Sequence, residues 1–313
     1  MLASGHKIHP KLNNFAGMSV LKPIADSTLT FFSGLAQTAL SLLKMLILWR
    51  KPTTYPAAVH PTCVVLGNGP SLAQDMENYR NELRRHDLLC VNGFAVSDAY
   101  AQLKPTYYLM LDPAFWEAET PAIHGILDAM AQRTTWPVHL YVPHSARKAK
   151  NLNKLSENKL IHIHFFNYIV YNGNRSLGHW LFRRGWASPQ CQNVLVSAVF
   201  HAINSGHRNI ILLGADHSWH ENIVVKDDNI VYTKEIHFYD NAEHCTYIPF
   251  HTNIGAKTTR TMGELFYTWS KVYKGYFNLK HYAAYRGCSI YNAGRKSYID
   301  AFPRINQEDK AWK

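Results

Sequence analysis

Residues 62–66 form a short apolar run, Thr62-Cys63-Val64-Val65-Leu66, that stops at Gly67-Asn68-Gly69-Pro70-Ser71 and gives way at once to a helix-compatible stretch. That layout is a strand, a tight turn and a helix start, the opening unit of an α/β fold. The two glycines permit positive φ and let a ligand approach the main chain closely. Pro70 suits a first helical position, where its missing N–H has no partner to lose. The free N–H groups of a helix start and the positive end of its dipole favour an anionic ligand such as a nucleotide phosphate. Turns of this kind also serve only to redirect the chain. This one has neither the spacing of a dinucleotide fingerprint nor the lysine of a Walker loop.

The alternation continues beyond this unit. Apolar strands are predicted over 63–66, 88–91, 107–111, 138–142, 160–165, 209–213 and 289–291, and helices over 72–85, 95–103, 115–133, 192–205, 259–285 and 297–302. The rhythm is that of an α/β, Rossmann-like, mostly parallel sheet with flanking helices. Residues 217–257 break it. Val224-Val225 and residues 230–232 flank Asp227-Asp228-Asn229 as a hairpin, and the rest, rich in His, Tyr and Asn, reads as an irregular lid. In such sheets ligands sit beyond the carboxyl ends of the strands. The residues there are Gly67-Asn68, Asn92-Gly93, Asp112-Pro113 and Gly214-Ala215-Asp216. Each Asn or Asp alone fits a helix cap; together they outline a crevice for a base, a ribose or a sugar.

At 313 residues, 47% apolar and 13% aromatic, the chain can bury a large core. It divides into a tail and helix over 1–52, a Pro-containing linker over 53–61, and a catalytic domain over 62–313. The net charge of +11 comes without a basic run or a nucleic-acid motif, so phosphorylated or membrane-surface partners are expected in place of nucleic acid. Cys63, Cys90, Cys191, Cys245 and Cys288 are scattered and form no CxxC pair, which suits a reducing cytosol and argues against cysteine-held zinc. Residues 1–14 are polar, with no leader h-region. A helix is predicted over 29–49, capped by Asp26 or Ser27. It has a broad apolar face and a stripe of Thr30, Ser33, Gln37, Ser41 and Lys44 opposite. Three placements fit. The helix lies on an anionic bilayer with Arg50 and Lys51 at its end, packs on the protein's own core or a second subunit, or spans the membrane, where Lys44 and the stripe are costly. The first makes the protein peripheral on the inner face of the cytoplasmic membrane.

The ordered set of Gly67-Asn68-Gly69-Pro70-Ser71, Asn92, the unit over 197–216 with Ser205-Gly206 and Gly214-Ala215-Asp216, and Tyr291-Asn292-Ala293 running into residues 297–302 resembles the bacterial sialyltransferases of glycosyltransferase family 42. It is similar as well to the related superfamily that holds archaeal 6-hydroxymethylpterin diphosphokinases and flagellin-glycosylation factors. The likeness covers roughly residues 62–305. It implies that Asn68, Asn92 and Gly214, with Gly67, Gly69, Ser71 and Asp216 around them, contact the CMP of a CMP-activated donor. Asp112 stands where that family has an Asn, and Gln190 to Asn193 stand where it has an Arg, so another phosphate donor is needed. The resemblance implies a glycosyltransferase that moves an acidic sugar, sialic acid or Kdo-like, from CMP to a cell-surface glycan or glycolipid. No cofactor and no metal are expected, and a homo-oligomer is compatible with the sequence.

Inverting sugar transfer needs a base for the acceptor hydroxyl, a task suited to His near neutral pH, and donors for the leaving phosphate. The lid supplies His217, His220, His237, His244 and His251, with Tyr232, Tyr239 and Tyr247. In the resembled family the base is a His shortly after a lid Tyr and before a helix. This gives His251 as base with Tyr247 beside the leaving phosphate, and His237 as runner-up. Any of these histidines also fits a structural role. His217 and His220 with Asp216 offer a loose metal spacing, and Arg295 or Lys296 fits a phosphate or a solvated turn. Two other functions stay open. One is pyrophosphoryl transfer to a pterin-like substrate using ATP and Mg²⁺ on Asp112 and Asp216. The other is a non-catalytic role in glycan biosynthesis.

Overall fold

The computed structural model describes residues 15–241, 243–252 and 257–312, with side chains from residue 31 onward. The polar tail over 1–14 lies outside the described residues. Helix α1 (Phe15–Ile47) is longer than expected and runs through Asp26 and Ser27, so neither caps it. Among the described residues no helix is long and apolar enough to cross a membrane.

The main body begins with β1 (Thr62–Leu66), α2 (Leu72–Asn78), α3 (Arg80–Leu83), β2 (Asp87–Val91), α4 (Asp98–Leu103) and β3 (Tyr107–Leu109). It continues through α5 (Ala114–Glu117), α6 (Pro121–Arg133), β4 (Val138–Pro143), α7 (Asn153–Glu157), β5 (Ile161–Phe166), α8 (Arg175–Arg183), α9 (Val194–Ser205) and β6 (Asn209–Leu213). The lid holds β7 (Ile223–Val225), β8 (Val231–Thr233) and β9 (Ile248–Pro249), and the chain closes with α10 (Met262–Tyr285) and β10 (Ser289–Asn292).

Seven strands form one sheet in the order β10-β6-β1-β2-β3-β4-β5, every pairing parallel. Every residue of β1 and β2 is buried, because helices cover both faces; that explains continuous apolar runs in place of alternation. Successive side chains go to opposite layers. Cys63, Val65, Leu89 and Val91 join α9 and α10 through Val196, Val199 and Tyr276. Val64, Leu66, Leu88 and Cys90 join Leu72, Tyr100 and Leu127 on the other side. A fully buried Leu, Ile or Val contributes about 1.5–3 kcal/mol, so these two layers dominate stability. From β1 the chain steps outward through β2 to β5, then returns to place β6 on the other flank of β1. The strand order therefore reverses between β1 and β6, the crevice position in an open α/β sheet.

Several predicted elements differ in detail. The 72–85 helix breaks at Tyr79, whose ring stacks on Trp312 at 4.9 Å. The 115–133 helix breaks at Thr120-Pro121, where the Thr120 side chain accepts from the Ile123 N–H and restarts the helix with Pro121 at its first position. Residues 297–302 form no helix. Ser297 instead accepts from Asn292 Nδ2 at 2.8 Å and donates to the Ala215 carbonyl at 2.7 Å. Residues 53–61, expected as a linker, are tied down along their length: Thr53 N–H donates to the Gly185 carbonyl, Ala58 N–H to Ser205, and the Val59 and His60 N–H groups to Asp87.

Candidate active site at the strand switch

The carboxyl ends of β1 and β6 are locked together by their own side chains. The Ser71 hydroxyl and N–H donate to Asp216 at 2.6 and 3.1 Å. The Gly214 N–H and Arg295 N–H donate to buried Asp75 at 3.0 and 2.9 Å. Burial pushes the Asp216 carboxyl above its usual value, against the Ser71 hydrogen bonds that favour its charged form. The expectation that residues 67–72 cradle an outside anion therefore meets an internal carboxylate, which already holds the Ser71 N–H. Pro70 precedes α2 by a residue, and α2 is only seven residues long. Gly67 and Gly69 do not have positive φ. Their lack of a side chain serves packing: a Cβ on Gly67 would overlap the Gly214 carbonyl, and one on Gly69 the Asp216 carboxylate. Gly214 does take positive φ, at 60°.

Beside this knot lies a cavity of about 330 Å³, bordered by Asn68, Gly69, Asn92, Gly214 and Asp216 from the strand ends. Asn68 Nδ2 donates to the Val91 carbonyl at 3.0 Å, while its buried Oδ1 has no hydrogen-bond partner among the described residues. Asn92 sits at φ 48°, a left-handed conformation that Asn tolerates best among residues with a side chain. Its Oδ1 accepts the Leu111 N–H at 3.4 Å. Helix α9 also starts at the cavity, through Gln192, Asn193, Val194 and Leu195. Asn193 caps it by accepting the Leu195 N–H at 2.6 Å. Helix α9 thus presents its N-terminus to the cavity.

The predicted lid is a three-stranded antiparallel sheet, β7-β8-β9, with a strap between β8 and β9. Its hairpin pairs Val224 with Tyr232 across the turn containing Asp228. The strap is pinned onto the strand ends. Phe238 N–H donates to the Asn68 carbonyl at 3.1 Å, Phe238 packs on Phe94 at 5.3 Å, and Tyr239 fills the space left by Gly93. Pinning brings Lys234 and His237 to the cavity wall. His237 Nδ1 and Asp240 Oδ2 are 2.9 Å apart, and the same oxygen accepts the His237 N–H at 2.8 Å. A ring held this way by a carboxylate presents Nε2 as its proton acceptor. The His237 ring stacks on Tyr239 at 5.1 Å and 8°.

The remaining candidates lie elsewhere. His251 is exposed, paired in an isolated bridge with Thr259, and neither it nor Tyr247 borders the cavity; their neighbour Phe250 does. Asp112 is exposed and accepts the Ala114 N–H at 2.9 Å, capping α5 outside the cavity. His217 does border the cavity, at φ 54°, with Nε2 and the Tyr276 hydroxyl 2.8 Å apart and its ring on Trp219 at 4.3 Å. Burial drives its pKa to about 3, which keeps it neutral. His220 instead meets Tyr298, so the His217–His220 spacing brings no shared ligand position. Among the described residues no group of three or more His, Cys, Asp or Glu is placed to hold a metal ion. Lys296 pairs with Glu221 at 2.5 Å and Arg295 with Gln74, away from the cavity.

Sequence reasoning missed Lys234, Asp240 and the stacked pair Trp219–Trp269, 6.1 Å apart at the cavity wall. A His and an Asp three residues apart in a loop was the signal available for Asp240. For Lys234 there was none, because its approach depends on how the strap folds back.

No protein-family model matches the sequence, and no curated protein matches it. Among solved structures the chain is similar to the MAf glycosyltransferase from Magnetospirillum magneticum AMB-1, with a TM-score of 0.47 and 12% identity. The match covers 82% of this chain and 35% of that one, so this chain spans about a third of its length.

Proposed function

We propose that the cavity between β1 and β6 binds a CMP-activated acidic sugar and that the protein transfers this sugar to a glycan or glycolipid hydroxyl. The observation that carries the reading is His237, oriented by Asp240 at the wall of a cavity bordered by Asn68 and Asn92. His237 takes the proton of the acceptor hydroxyl as the acceptor oxygen bonds to the anomeric carbon. The bond from that carbon to the phosphate oxygen breaks, and CMP leaves with the electron pair. Lys234 and the N-terminus of α9 stabilise the charge on the departing phosphate. The unpartnered Asn68 Oδ1 is an acceptor for an N–H or O–H of the nucleoside.

This reading moves the base from His251 to the runner-up, because His237 borders the cavity and His251 does not. The Mg²⁺-dependent alternative finds no support in the geometry: Asp112 caps α5 and Asp216 is bonded to Ser71. The test is transfer of sialic acid or Kdo from its CMP donor to a panel of glycan acceptors, with wild type and His237→Ala in parallel. Transfer that depends on His237 supports the reading. No transfer, together with no CMP binding, removes it.

A further inference from the structure

A second hollow lies where α1 and α8 meet α10. It measures about 220 Å³ and is bordered by Gln37 of α1, Arg175 and His179 of α8, and Lys274, Asn278 and His281 of α10. No Asp or Glu borders it, and among the described residues neither Arg175 nor Lys274 is paired with an acid. His179 is only 9% exposed, faces the hollow and has no hydrogen-bond partner among the described residues. Burial, then the nearby charges of Arg175 and His281, push its pKa down. With two cations unpaired by any acid and an imidazole at its wall, the pocket is complementary to a compact anion.

The helix that walls this hollow is itself unusual. The inward side of α1 is narrow: Thr38 Oγ1 accepts the Asn174 N–H at 2.9 Å, Ser41 bonds to Asn172, and Met45 is buried, while Ser33, Gln37 and Lys44 are exposed. Its apolar residues face outward, from Leu35 at 52% to Ile47 at 72% exposed, with Phe32, Leu43 and Leu46 between. Below them Trp49, Trp186 and Trp180 form a chain at 5.9 and 5.3 Å, and the Arg184 guanidinium lies 5.6 Å over Trp180. An outward apolar helix above a Trp and Arg belt matches the layering of a bilayer surface, with acyl chains beyond and headgroups at the aromatic level.

We propose that the Arg175–Lys274 hollow holds the phosphate of an anionic lipid headgroup while the outward face of α1 lies in the acyl boundary of the same bilayer. A free phosphate explains the hollow but leaves the apolar face in water. A second copy of the chain covers that face but brings another charge of +11 beside the cations. One partner that is both anionic and apolar satisfies both features.

The test is flotation of the full chain with phosphatidylglycerol-containing vesicles and with pure phosphatidylcholine vesicles. Wild type is expected to float with the former and at least about tenfold less with the latter. Arg175→Gln and Lys274→Gln each lower partitioning about fivefold. Leu43→Asp with Leu46→Asp, both at exposed positions, releases the protein from either vesicle while leaving its melting temperature in place. Unchanged partitioning of the Gln variants removes the hollow as the headgroup site. If wild type stays off vesicles while inorganic phosphate raises its melting temperature through Arg175 and Lys274, the ligand is a soluble phosphate and the proposal fails. It fails equally if wild type stays off vesicles as a dimer that Leu43→Asp dissociates.

Discussion

His237 has one imidazole nitrogen committed to Asp240, which leaves the other for a proton. General-base catalysis accounts for about 10²–10⁴-fold in rate, so His237→Ala should lower turnover by that order while CMP affinity, measured by calorimetry, stays unchanged. His251→Ala should leave turnover intact. A loss confined to His251 moves the base back to the exposed edge of the lid. His201 carries a second residue-scale prediction. Its ring is fully enclosed by Tyr55, Tyr141, Phe166 and Phe200, and burial holds its pKa at about 4. An unfolded His titrates near 6.5. Between those values the unfolded chain binds the proton and the folded one does not. Stability is therefore complete above about pH 6.5 and falls as the pH drops towards 4, by up to roughly 3 kcal/mol from this group. Denaturant melts from pH 7 to 4 should show the loss, and His201→Leu should flatten part of it. A melting midpoint that is flat in this window contradicts the assignment.

At the scale of elements, the β1 turn was legible as strand, turn and helix, but its purpose was not. Spacing shows that Gly67 and Gly69 lack side chains; only the fold shows that the space goes to Gly214 and Asp216. A Cβ at Gly67 meets main-chain oxygen, which cannot swing aside, so Gly67→Ala should cost about 1–3 kcal/mol, read from thermal melts. A cost near zero would mean that the turn has slack. Helix α1 was legible as an amphipathic helix. The period says which residues share a face, and nothing in it says which face meets the protein; Thr38 and Ser41 set it by bonding to the Asn172–Asn174 loop. Helix α8 escaped notice because Gly178 and His179 interrupt its apolar pattern, although Asn174 caps it. The hairpin over β7 and β8 was readable from its turn, whereas the strap that delivers Lys234 and His237 was not, because long-range packing on Phe94 and Gly93 places it.

Over the whole molecule, the sheet was legible because its central strands β1, β2 and β6 are apolar enough to be covered on both faces, and the switch point follows from strand order. The body should stand without its first helix. Deleting residues 1–48 removes the Thr38 and Ser41 hydrogen bonds and the buried Met45, worth about 2–4 kcal/mol together, while residues 53–61 keep their own bonds to Asp87, Ser205 and Gly185. The truncated chain should keep its far-ultraviolet circular dichroism and melt lower; loss of the folded signal would make α1 part of the folding core. The central claim is that the β1–β6 cavity is a CMP-sugar site. Calorimetric titration of CMP into wild type, Asn68→Ala and Asn92→Asp tests it most directly. Binding to wild type, weakened by about 1–3 kcal/mol in each variant, is the predicted result; no binding of CMP, or equal affinity in all three proteins, contradicts it.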